Sequence, residues 1–159
     1  MSMIHDAQTV ARQLFGTSQA GLQVVGFPGG SLECCLLQAN SLGCEFDYVQ
    51  LDCSAACSIS HADFLDKANR LAGTLNYLLE PISVIEIDAN QQQAILRSTK
   101  PQTVTAKQRR YYEIAVQGNS QIRFARFETI PGHARQRVPA VLTQEVFVRL
   151  IGDLTSVFV

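Results

Sequence analysis

The stretch YYEIAVQGNSQIRFARFE, residues 111–128, constrains the fold more than any other part of the chain. Two segments of alternating side chains flank the turn QGNSQ. Successive strand residues point to opposite faces, and residues opposed across a hairpin share one. Folding the stretch on an odd-length loop pairs Val116 with Ile122, Ile114 with Phe124 and Tyr112 with Arg126. One face is then largely apolar, and the other carries Glu113, Gln117, Gln121 and Arg123. A hairpin of this kind belongs in an antiparallel sheet covered by other elements on one side.

The covering elements are readable as helices. Ile4, Ala7, Val10, Ala11, Leu14 and Phe15 repeat at helical spacing over residues 3–15, with Gly16 placed to cap the end. Ser60, with Asp63 three residues on, opens a second helix. Its apolar stripe runs through Phe64, Ala68, Leu71, Ala72, Leu75, Leu78 and Leu79, and Pro81 stops it. Thr143 caps a last helix with Val146, Phe147, Leu150, Ile151 and Leu154 on its buried side. Strands are expected at 22–27, 32–38, 45–53, 82–88 and 93–98, with a turn at 28–31 and a short edge strand at 104–107. Residues 129–139, broken by Pro131, Gly132 and Pro139, read as irregular.

The fold class is therefore α+β: an antiparallel sheet with helices on one face, in the order α-β-β-β-α-β-β-β-β-α. No linker or repeat divides the 159 residues, so a single domain over 1–159 is expected. The order of elements resembles, as architecture, that of bacterial type III secretion chaperones and related small dimeric folds. The resemblance implies a chaperone-like dimer that binds another protein.

Charge is scarce and uneven. Charged residues make up 17% of the chain, against roughly a quarter in average usage. Residues 1–90 hold ten acidic and three basic side chains, whereas 91–159 hold ten basic and four acidic ones. Either the two halves face each other, within a chain or across a dimer, or the second half meets an anionic partner. Lys107, Arg109, Arg110, Arg123, Arg135 and Arg137 are the candidates for such a partner- or anion-binding surface. The mix of base and aromatic in KQRRYY, residues 107–112, suits single-stranded nucleic acid, but a solvated basic strand edge explains it as well. No apolar run approaches the roughly 20 residues of a membrane span, and the amino terminus lacks the pattern of a signal peptide. A cytoplasmic location with reduced thiols follows as the expectation, and five cysteines, an odd number, do not suit a disulfide framework.

The segment CSAACSISHADF, residues 53–64, is where metal or thiol chemistry would sit. Zinc sites favour close pairs such as C-x-x-C, and three residues separate Cys53 from Cys57. A helix starting at Ser60 leaves both cysteines in the preceding loop, so no metal site and no cofactor is expected. A thiol enzyme using Cys57 and His61 is the remaining catalytic reading, and no known signature supports it. GFPGGS, residues 26–31, lacks the lysine of a phosphate loop and precedes a strand, so it reads as a tight turn. These exclusions leave a non-catalytic, adaptor or chaperone-like domain that binds another protein. Apolar residues make up 47% of the chain, and beyond the last helix's stripe Val148, Val157, Phe158 and Val159 remain. That surplus suggests a homodimer, with Phe147, Val157 and Phe158 placed at its interface. Anion or nucleic-acid binding through the basic second half is the alternative.

Overall fold

A computed structural model describes residues 2–16, 19–54, 59–99, 102–103 and 107–159. The first helix, α1 (Met3–Gln13), is capped by the Ser2 side chain, which accepts a hydrogen bond from the His5 N–H at 3.2 Å. It ends in a short 3₁₀ turn at Leu14–Gly16, and Gly16 does not adopt the left-handed conformation expected of a capping glycine. Three strands follow: β1 (Gly21–Phe27), β2 (Gly30–Ala39) and β3 (Gly43–Cys53). Pro28 starts the β1–β2 turn, and Gly29, at φ 93°, takes the conformation that other residues avoid. Asn40 closes the next turn with its side-chain oxygen, which accepts from the N–H groups of Leu42 and Gly43.

Helix α2 (His61–Thr74) starts where the sequence places it, with Ser60 accepting from the Asp63 N–H at 3.1 Å. It stops five residues before Leu79. The Thr74 hydroxyl bonds back to the carbonyl of Arg70, and Leu75 leaves the helical region. Tertiary contacts then hold the following loop: the Tyr77 hydroxyl donates to Asp153 at 2.6 Å, and Glu80 meets Arg126 at 3.0 Å. Leu75 and Leu78 still reach the core, but Leu79 is 98% exposed at φ 65°. The apolar stripe is thus partly a helix face and partly a loop.

The second set of strands is β4 (Ile82–Asp88), β5 (Gln93–Ser98), β6 (Gln102–Thr103), β7 (Arg109–Gln117), β8 (Gln121–Thr129), β9 (Gln136–Val138) and β10 (Ala140–Thr143). They are followed by α3 (Gln144–Thr155), capped by Thr143, which accepts from the Val146 N–H. The long strands follow the expected order. The expected register of the β7–β8 hairpin, Val116 with Ile122, Ile114 with Phe124 and Tyr112 with Arg126, is the one observed. Two further strands were not expected: β9 lies within the segment 129–139 read as irregular, and β10 lies between that segment and the last helix. They are too short to alternate legibly, and Pro139 separates them because it cannot donate to a ladder. Of the edge strand expected at 104–107, residues 104–106 lie outside the described residues; Gln102–Thr103 pair with β7 instead.

All the described strands join one antiparallel sheet with the main order β1-β2-β3-β8-β7-β5-β4. β3 changes partner along one edge. Residues 48–52 pair with β8, and residues 43–46 pair with β10. Arg137 of β9 reaches Asp47 at the changeover, 3.1 Å away. The helices pack on one face: α1 against β1 and β2, α3 against β3, α2 against β4 and β5. Phe46, Phe64, Phe124 and Phe147 are fully buried between the layers. Val157 and Phe158 fold back onto this core, 3% and 8% exposed, and Val148 is likewise buried. Of the side chains that suggested an interface, Phe147, Val148, Val157 and Phe158 are therefore absorbed by the chain's own core, and Val159 stays 63% exposed. Among the described residues no helix is long and apolar enough to cross a membrane.

Candidate binding face

No described helix packs on the other face of the sheet. Strand alternation decides what it carries. Because opposed residues share a face, Gln50, Arg123, Ala115 and Ile95 form one row across β3, β8, β7 and β5. Tyr48, Ala125, Glu113 and Arg97 form the next. Phe127 with Tyr111 begins a third, and Arg137 opposes Phe127 from β9.

Four arginines converge there, each ordered by two kinds of contact. Arg97 bonds Glu113 at 2.6 Å and lies over the Tyr111 ring. Arg135 bonds the same carboxylate at 2.9 Å and stacks 4.0 Å above Phe127. Arg123 donates to the Gln50 side chain at 2.9 Å and sits 4.4 Å over Tyr48. Arg137 pairs with Asp47 and reaches the same Tyr48 ring. The Tyr111 and Phe127 rings stack at 6.0 Å. Glu113 is the hub, only 7% exposed. Burial alone would push its carboxyl up, but the hydrogen bonds from Arg135 and Arg97 outweigh it and hold the carboxyl below its ordinary range. The same partner drives Arg135 further up.

Between these groups runs a groove. A hollow of about 280 Å³ is lined by Ala115, Ala125, Phe127 and three of the arginines. It adjoins one of about 690 Å³ lined by Ile95, Gln117, Gln121, Glu86 and Asp88, and the two share Ala115 and Arg123. Small and apolar side chains floor the groove, arginine walls one end, and two exposed carboxylates wall the other.

Of the six expected basic residues, Arg123, Arg135 and Arg137 meet on this face. Arg109 is exposed farther along β7, in the same alternation as Tyr111. Arg110 has the opposite alternation and pairs with Glu128 at 2.8 Å. Lys107 is exposed in the bend before β7. Tyr48, Tyr111, Phe127, Arg97 and Glu113 were not singled out from sequence. The hairpin register already contained part of the signal, since extending it by one residue on each strand opposes Tyr111 to Phe127.

Cys57 lies outside the described residues, and His61 is exposed at the first turn of α2. Cys34 and Cys44 are buried in the core, where loss of water raises both thiols, Cys44 to about 12. Among the described residues, no three His, Cys, Asp or Glu side chains group as metal ligands. In comparisons with known proteins, no family model, no curated protein and no solved structure matches the chain.

Proposed function

We propose that the chain is a non-catalytic, adaptor or chaperone-like domain that acts as a homodimer and holds a segment of another protein in the groove of its open sheet face. The observation that carries this reading is the composition of the groove. Arginine is one of the side chains that most often dominate binding energy at protein interfaces, and Arg123, Arg135 and Arg137 line the groove. Here the arginines are held in place by aromatic rings and carboxylates, so a partner would immobilise them at little further entropic cost. Two exposed acidic side chains at the β4 end, Glu86 and Asp88, favour a segment with basic residues at that end. The half-exposed floor of Ile95 and Ala115 leaves room for apolar side chains in the rest of the segment.

The test is a blocked groove. Ala115→Arg fills the floor from a half-exposed position, and Arg110→Glu alters charge off the face. A partner captured from the native cell and then purified should bind the wild type and Arg110→Glu alike, and bind Ala115→Arg at least about tenfold more weakly. Equal binding by the blocked variant, with its fold intact by circular dichroism, would remove the groove as the site. The alternative reading, an anion or nucleic-acid binder, would have to draw on arginines that already face Glu113 and Asp47.

A further inference from the structure

We infer that β1 is a homotypic docking edge, where a second copy of the chain adds its own β1 in antiparallel pairing and joins the two sheets. The inference rests on the homodimer proposed above but not on the groove. β1 is a terminal strand of the sheet, and among the described residues only β2 pairs with it. Sheet edges are ordinarily blunted by charge, proline, a bulge or short length. Here the free edges differ sharply. β4, at the other end, carries a bulge between Val84 and Glu86 and the exposed charges Glu86 and Asp88. β6, β9 and β10 are two, three and four residues long. β1 has seven residues, GLQVVGF, with no charge, no proline and no irregularity in its register with β2.

Its side chains also fit a second copy. Leu22 and Val24 project from the open face and are 59% and 60% exposed. A two-fold axis through Val24, normal to the sheet, sets Val24 against the partner's Val24 and Leu22 against the partner's Gly26. The larger apolar side chain thus faces the residue with none, on both sides of the axis. No charge opposes a like charge in this or any shifted register. Strand addition takes its affinity from the backbone and its selectivity from side-chain pockets. Neither hollow of the open face is lined by β1, and the size pattern that β1 offers matches itself. A seven-residue edge is about 24 Å long, so the contact is smaller than the roughly 1,600 Å² of a standard interface. Dissociation in the micromolar range is the expectation.

Sedimentation velocity across the micromolar range should show a concentration-dependent shift from 17.5 kDa to twice that mass. Val24→Lys opposes two positive charges on the axis and should weaken the dimer at least about tenfold. Mixing Val24→Lys with Val24→Glu should restore dimers, because the charges then attract. Amide exchange in β1 of the wild type should slow as concentration rises, a readout that needs no substitution. A wild type that stays at one chain mass throughout would overturn both the homodimer and this edge. A wild-type dimer that survives Val24→Lys, with no slowing in β1, would overturn the edge alone.

Discussion

Glu113 shows how one residue organises a surface. Its carboxylate is nearly buried, yet it stays charged because two guanidinium groups close on it. Its folded pKa lies below the ordinary carboxylate value, so the charged form stabilises the fold. That contribution is complete above the unfolded value, about 4.3. It is lost as pH falls through the lower folded value. Glu113→Gln should cost about 2 kcal/mol near neutral pH, a figure kept modest because Arg97 and Arg135 are partly solvated. The cost should shrink as the wild type is acidified, which urea melts from pH 7 down to pH 3 would register. An equal penalty at both ends would show that the carboxylate's shape matters and its charge does not. This hub was hidden in the sequence. Glu113 looks like an ordinary polar residue on a hairpin's wet face, and its partners lie 16 and 22 positions away.

Elements with strong local chemistry were legible, and those defined by a partner were not. Ser60 and Thr143 announce their helices because a side-chain oxygen satisfies an orphan N–H within three residues. The end of α2 depends on Tyr77 finding Asp153 and Glu80 finding Arg126, which no local pattern encodes. β10 exists because β3 has a vacant stretch of edge beside residues 43–46. Gly43 is what lets the two backbones meet there. A Cβ at this position would run into the backbone carbonyl oxygen of Leu142, which cannot swing aside as a side chain would. Gly43→Ala should therefore destabilise the protein by about 2 kcal/mol. Gly16→Ala, where nothing lies within 4 Å and φ is not positive, should change stability by no more than about 0.5 kcal/mol. Equal melting of the two variants would refute the close approach.

At the scale of the whole molecule, the uneven charge of the two halves is partly resolved by folding. Glu80 and Asp47 of the acidic half meet Arg126 and Arg137 of the basic half, and Arg97, Arg110 and Arg135 find carboxylates within the basic half itself. Heparin should accordingly release the protein at or below physiological salt, with a shallow dependence of log affinity on log salt. Retention well above physiological salt, lost in Arg123→Glu, would favour an anionic partner. The fold class was legible because the hairpins are local and their alternation is strong. The open face was only half legible, since alternation says which residues share a side but not which distant rows are stacked against one another. The divided edge of β3 has a further consequence during synthesis. Its partner β8 begins at residue 121 and β10 at residue 140, so a ribosome must add some seventy to ninety residues before that edge is closed. At about 5–20 residues per second the strand stays open for several seconds. The newborn chain is thus most in need of protection between the synthesis of β3 and that of β10, and residues 121–143 act as the clasp that ends that need.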